Sequence, residues 1–420
     1  DMRFLSEMDG GRYIAVDTVG RTAYYSSALR NAERLLFPNF ENTMLHFVFL
    51  KRIANIYPAT SEIITQLLER IEKSLPNREQ KSLRHLGEEL NNRVFQALKE
   101  ANDRLVPAKV GYGDGVCYLN VKRDLFDPER GTWWEGPDYD GKSDKTVAVI
   151  YFESLDGKPI ATYFNYAMHA VITGNTDKVS ADFPGAAETY IESRYGDDFV
   201  ACFASGAAGD QNPIYFQQTF DLRDIRIADY AARGEDISNA MPPGGQGLDR
   251  SKPEVQRLLG EQERMIRSYG QILGEEVKYV IMMMRRFETD VTLKCLHKTV
   301  SCPARRQLNG GGRAGYEGQY EDAGEATIDL HLTMLDDIPV VGTSGEPYNP
   351  IAVELKQKSP YARTMLTTLC QGTFTGYIPD DESYGAQSFE VLGSRFKQGY
   401  AQKAIVDGAL DLIHEATHGE

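Results

Sequence analysis

No stretch of this sequence carries the roughly 20 consecutive apolar residues that a membrane-spanning helix needs, so no such helix is expected in it. Net positive charge is missing too. With 46 basic against 61 acidic side chains the formal charge is -15, and a general nucleic-acid surface, which needs basic patches, is not expected. Cysteine is sparse: five residues, at 117, 202, 295, 302 and 370, contain no CxxC pair. An odd count leaves at least one outside any intrachain disulfide, and a chain of this size does not need a disulfide framework. Cys202 and Cys370 lie in apolar runs and read as small core residues. Internal repeats, heptads and low-complexity blocks are absent. The chain begins at Asp1 without a charged-then-apolar signal pattern, which is expected of a processed or downstream start and leaves export to a periplasm or the exterior as an expectation.

What is present is globular. A hydrophobic fraction of 41% in 420 residues is enough for a large core, and no linker is clean enough to cut the chain, so one large domain over 1–420 is expected. Ser61 can cap a helix whose apolar face is Ile63, Ile64, Leu67, Leu68, Ile71 and Leu75, and a second helix should run from about Arg78 to Leu105. A Gly-rich strand-like stretch follows at 110–124, then a loop with Trp133, Trp134 and Pro137. Strands Thr146–Phe152 and Pro159–Met168 are joined by Asp156-Gly157, a hairpin signal. Residues 217–251, rich in charge and interrupted by Pro242-Pro243, read as a long excursion, and a long helix is expected over about Glu254–Met284. Strands near 289–300 and 326–335 flank a glycine-rich loop at 309–315, which suits a lid or linker better than an anion cradle. The last third alternates strand, loop, helix, strand, loop and helix. The pattern predicts an α/β fold, a mixed β-sheet core flanked by helices.

The chemistry centres on Phe164 to Pro213, which runs from a strand through a polar turn and a short helix into a second strand and the loop Ser205-Gly-Ala-Ala-Gly-Asp-Gln-Asn-Pro213. His169 stands where the first strand runs out; alone, such a histidine is more often structural. Glu346 in Thr-Ser-Gly-Glu-Pro and Tyr377 in Thr-Gly-Tyr-Ile-Pro also follow strands at small-residue turns. Loops after strand C-termini converge on one edge of an α/β sheet, so the three side chains can meet there. A histidine nitrogen with glutamate and tyrosine oxygens suits zinc with positions left open for water and substrate.

Several short motifs, in order and spacing, are similar to those of the neutral/alkaline, non-lysosomal ceramidase family, zinc amidases that split the N-acyl bond of ceramide. They are the Asn165–His169 strand end, Ser180-Ala-Asp-Phe-Pro-Gly185, Gly209-Asp-Gln-Asn-Pro213, Gly345-Glu346, and Thr375-Gly-Tyr-Ile-Pro379 with Tyr384 and Phe389-Glu390. Arg123, in Asn-Val-Lys-Arg, falls at the family's active-site arginine. The resemblance covers roughly residues 90–215 and 338–416. It implies one zinc per chain held by His169, Glu346 and Tyr377, Arg123 as a substrate or oxyanion contact, Asn212 at the place of the reactive serine, and a small-molecule or lipid-like N-acyl substrate. Asp210 is expected to fix the turn of its loop through its backbone.

Three departures qualify this. Asn212 replaces the serine, and a carboxamide can donate to an oxyanion but cannot act as an activated hydroxyl. The family's upstream His-x-His motif is missing; His46 and His85 are the only histidines before 169. The family's immunoglobulin-like C-terminal domain is not expected in these 420 residues, and Phe389 replaces a tyrosine. Two functions follow as alternatives: a zinc-dependent hydrolase of an amide or ester bond that uses water rather than a serine, or a ceramidase-like binding protein without catalysis. Oligomeric state is not readable. His414-Glu-Ala-Thr-His418 spells HExxH, but without a downstream third ligand it reads as an incidental terminal pattern, and His297 and His331 read as strand residues.

Overall fold

A computed structural model describes residues 95–97, 99–129, 131–174, 180–237, 248–310, 314–370 and 375–419. The helix expected over Ser61–Leu75, most of that over Arg78–Leu105, and His46 and His85 lie outside the described residues.

Two sheets carry the fold. The first has five strands: β1 (Ala108–Val116), β4 (Thr146–Ser154), β5 (Pro159–Tyr166), β6 (Val200–Ser205) and the short β8 (Phe287–Glu288), in the order β6-β5-β4-β1-β8. Only β5 and β6 are parallel, and the crossover between them carries helix α1 (Asp182–Tyr195). The β4–β5 hairpin turns at Asp156-Gly157 as expected, with Gly157 at φ 86°. The second sheet is β13-β11-β10-β9, built from β9 (Leu293–Gln307), β10 (Tyr320–Leu335), β11 (Ile338–Thr343) and β13 (Met365–Thr367).

Period-two alternation sorts these strands onto two faces. Val147 and Val149 pack outward with Ile191 of α1 and with Leu273 and Val277 of α3 (Pro253–Met283). Their neighbours Ala148 and Ile150 point inward and meet Ile338, Val340 and Met365 of the second sheet. On that sheet's far side, Leu330, Leu332, Val341 and Leu366 pack with Ile351 and Leu355 of α4 (Asn349–Lys358) and Ile405, Ala409 and Leu412 of α6 (Ala401–His418). The architecture is therefore helices, sheet, sheet, helices, an α/β fold whose core is two sheets face to face.

Smaller elements gather at one end. A three-stranded sheet, β3-β2-β7, joins β2 (Asn120–Asp127), β3 (Thr132–Asp138) and β7 (Gln211–Pro213), and β12 (Glu346–Pro347) pairs in parallel with β14 (Tyr377–Ile378). Helix α5 (Phe389–Gly393) follows them.

Two expectations need correction. The stretch with Trp133, Trp134 and Pro137 is strand β3, because its edge position leaves the proline free of a ladder hydrogen bond. Residues 217–231 form helix α2 (Gln217–Ala231), not an excursion. Its buried positions are Gln218, Thr219, Leu222 and Arg226, a helical spacing disguised by polar residues. The five cysteines form no disulfide, and Cys370 is buried.

Candidate functional site

The C-terminal ends of strands from both sheets meet. Asn165 Nδ2 donates to the Leu366 carbonyl (3.1 Å) and the Thr368 N–H to that of Ser205 (2.9 Å), which ties β5 and β6 to β13. His169 lies three residues past the end of β5. Its backbone N–H donates to the Gln211 carbonyl (3.0 Å), and its Nδ1 lies 3.1 Å from the same oxygen. A carbonyl can only accept, so Nδ1 carries a hydrogen and the ring is fixed with Nε2 facing outward. There it meets Glu346 Oε2 at 3.0 Å.

Glu346 arrives from the other sheet. The chain leaves β11 through Gly345, at φ 81°, where an added Cβ would stand 2.8 Å from the Gly376 carbonyl, so only glycine fits this turn. The Glu346 N–H then donates to Gly376 (2.9 Å), and the β12–β14 register sets Glu346 beside Tyr377. The Tyr377 ring centroid is 6.2 Å from that of His169. The structure thus brings His169 and Glu346 into contact and lays Tyr377 alongside.

Do these residues fit a zinc ion? Two donors on one tetrahedral zinc, with bonds of about 2.1 Å, stand about 3.4 Å apart. The 3.0 Å between Nε2 and Oε2 is close to that, and the hydrogen bond at Nδ1 is the outer-shell partner that a metal-binding imidazole ordinarily has. Among the described residues no group of three His, Cys, Asp or Glu side chains is arranged to hold a metal; the further side chain in register with Glu346 is Tyr377. The spacing of His169 and Glu346 fits two ligands of one zinc ion.

Behind this pair sits the loop 206–212. Gly209 packs so closely on β12 that a Cβ would come within 2.5 Å of the Glu346 carbonyl. Asp210, fully buried, accepts from the Asn349 N–H at the start of α4 (2.8 Å), which ties the loop to that helix and not, as expected, to its own backbone. Burial, with Asp124 adding to it, pushes the Asp210 carboxyl up to about 7. Asn212 is held at both ends: Oδ1 accepts from Arg123 Nη1 (3.2 Å), and Nδ2 donates to Glu135 Oε1 (3.0 Å). Arg123 itself is 3% exposed, and its Nη2 donates to the Gly209 carbonyl (2.7 Å). Burial works against its charge, but Glu390, Tyr377 and Glu135 outweigh burial and keep the guanidinium ionised.

Four side chains of this site were not singled out from the sequence. Glu390, which the sequence offered only as part of Phe389-Glu390, has Oε1 2.6 Å from Arg123 Nε. Burial pushes its carboxyl up, against the pull of Arg123. Asp124 Oδ2 accepts from the buried Tyr348 hydroxyl (2.8 Å). Glu135 comes from β3, the strand read as a loop, and no local signal marked it. The other described histidines stay apart from the site. His414 and His418 stack on an exposed turn of α6, with ring centroids 4.3 Å apart, and His297 and His331 stack across β9 and β10 at 4.6 Å.

No protein-family model matches the chain. It is 27% identical over 129 residues to the neutral ceramidases of Drosophila pseudoobscura pseudoobscura and Drosophila melanogaster. To neutral ceramidase B of Dictyostelium discoideum it is 28% identical over 131 residues. Each alignment takes in 29% of this chain and 18% of the relative, so the chain matches under a fifth of their length. The structure superposes on neutral ceramidase from Pseudomonas aeruginosa with a TM-score of 0.51 at 16% identity, over 77% of this chain and 55% of that one. A ceramidase complexed with C2 gives 0.52 at 15% identity, over 78% and 57%. At such identities the likeness shows a shared fold.

Proposed function

We propose that this divergent neutral ceramidase-like domain is a zinc-dependent hydrolase that opens an N-acyl amide, or an ester, with water and not with a serine. The observation that supports it most is the meeting of His169 Nε2 and Glu346 Oε2 at 3.0 Å, with Tyr377 alongside, at the joined strand ends of two sheets. When bound by these three residues, zinc would polarise the acyl carbonyl and acidify a water. The chain's own groups do the rest. His169 is held in the tautomer that offers Nε2 by its Nδ1 hydrogen on Gln211. Asn212 keeps a second Nδ2 hydrogen beyond the one given to Glu135, and this donates to the oxygen of the acyl group as negative charge grows on it. Glu135, half-buried beside Asn212, accepts the proton of the attacking water and returns it to the departing amine. Arg123 keeps the loop and Asn212 in place. The substrate class is an N-acyl lipid or a smaller N-acyl compound, in keeping with the names of the relatives.

The test uses purified full-length protein. Metal analysis is expected to give close to one zinc per chain, falling to near zero in His169→Ala and in Glu346→Ala, with turnover of an N-acyl panel lost in parallel. Protein that carries no metal when refolded with zinc and cleaves no N-acyl compound would sink the reading.

One observation favours a second reading. Both ends of the Asn212 amide are engaged within the protein, and no hydroxyl replaces the serine. A ceramidase-like binding protein would retain affinity for an N-acyl compound while showing no turnover in wild type or in Asn212→Ser.

A further inference from the structure

Three carboxyl groups lie around one buried guanidinium: Asp124, Glu135 and Glu390 surround Arg123. Two of them are tied to other donors. Asp124 Oδ2 accepts from the Tyr348 hydroxyl and Glu135 Oε1 from Asn212 Nδ2. Glu390 differs. It is 1% exposed, and neither of its oxygens accepts a hydrogen bond of good geometry among the described residues; its close polar neighbour is Arg123 Nε at 2.6 Å, an ion pair and not an aligned hydrogen bond. A carboxylate buried without donors is costly unless a charge compensates it, so its retention needs that one cation.

The pair has a geometric consequence. A guanidinium is a planar fork, so fixing Nε fixes where Nη1 and Nη2 point. With Nε against Glu390, Nη1 reaches Asn212 Oδ1 and Nη2 reaches the Gly209 carbonyl. The rings of Tyr377 and Phe389 stand 5.4 and 5.1 Å from its carbon and limit the plane in which it can lie. Glu390 is carried on α5 and Arg123 on β2, so the contact also joins the chain's late elements to the loop.

We propose that Glu390 is the positioning residue of the site: through the Arg123 fork it sets the orientation of the Asn212 carboxamide. In its kinetic arm this rests on the hydrolase reading given above; in its spectroscopic arm it does not.

The experiment uses the full chain labelled with 15N-arginine, the Arg123 Nε–H resonance being assigned by its loss in Arg123→Lys. Wild type is expected to give a sharp Nε–H signal protected from solvent exchange. In Glu390→Gln, which keeps size and removes charge, protection should fall at least about tenfold while circular dichroism and Tm show a folded protein. Glu390→Asp, which keeps the charge on a shorter stem, should restore part of it. If wild type hydrolyses an N-acyl substrate, Glu390→Gln should lower kcat about 100-fold with KM within about threefold, the signature of a misplaced group and not of lost binding. An unchanged Nε–H signal in folded Glu390→Gln overturns the proposal, as does unchanged kcat. Wild type without any turnover overturns the hydrolase reading instead, and the resonance alone then decides whether Glu390 aims Arg123. Should Glu390→Gln fail to fold, Glu390→Asp is judged by the same signal, and full protection equal to wild type with altered kcat counts against.

Discussion

Replacing Asp210 by asparagine isolates the cost of one buried ionisable group. Asp210 is fully buried and its carboxyl is raised from 3.8 to about 7, chiefly by burial. In the unfolded chain it releases its proton near pH 4; in the folded protein it holds that proton to about pH 7. Between those values the folded state binds one proton more than the unfolded state, so stability falls as pH rises through this window. The displacement is about three pH units at about 1.4 kcal/mol each, so the full penalty above pH 7 is about 4 kcal/mol. Asp210→Asn keeps an oxygen for the Asn349 N–H and cannot ionise. The unfolding free energy of the variant minus that of wild type should therefore climb by about 1.4 kcal/mol per pH unit from pH 4.5 to pH 7 and level off above. Urea titrations followed by fluorescence at half-unit steps of pH read this directly. The slope is the test, since the intercept also carries whatever the new amide hydrogens fail to find. A difference that stays flat within about 0.5 kcal/mol would mean that Asp210 is ionised in the folded protein throughout, and the reasoning from burial would fail.

Gly209→Ala places a methyl 2.5 Å from the Glu346 carbonyl, so the loop or β12 has to move; stability should drop by about 1–3 kcal/mol, with zinc affinity weakened, both read by thermal unfolding with and without added zinc. Tyr348→Phe removes the hydroxyl that donates to Asp124 and leaves a buried carboxylate short of a donor, which should cost about 1–3 kcal/mol in the same assay; no loss in Tm would refute that role.

Much of this arrangement was legible in the sequence because its parts are punctuated by small residues after strands. Glu346 and Tyr377 follow Gly345 and Gly376, both of which adopt positive φ, and the sequence showed those glycines directly. The long strands and the helices α3 and α6 were marked by clean periodicity. Two sheets in place of one were not foreseeable, because alternation tells that Val147 and Ala148 face opposite ways but not what each face meets. Helix α2 escaped notice because it buries Gln218, Thr219 and Arg226, and β3 because Gly136 and Pro137 resemble a turn. Glu135 and Glu390 were beyond reach for a related reason: a carboxylate acquires its meaning from Arg123, which lies 12 residues from the first and 267 from the second. Only the fold makes them neighbours.

His169 hangs from the end of one sheet, while Glu346 and Tyr377 hang from the ends of strands in the other. A ligand bound by all three would act as a clasp across the seam, and its binding free energy would be added to that holding the sheets together. By mass action, a ligand at 100 times its dissociation constant would add about 2.7 kcal/mol to the folded state. Hydrogen exchange at the β13 end of the seam, where Leu366 meets Asn165, should then slow on loading while the Leu293–Leu335 end of the β9–β10 ladder, at the other end of β11 from Glu346, keeps its rate.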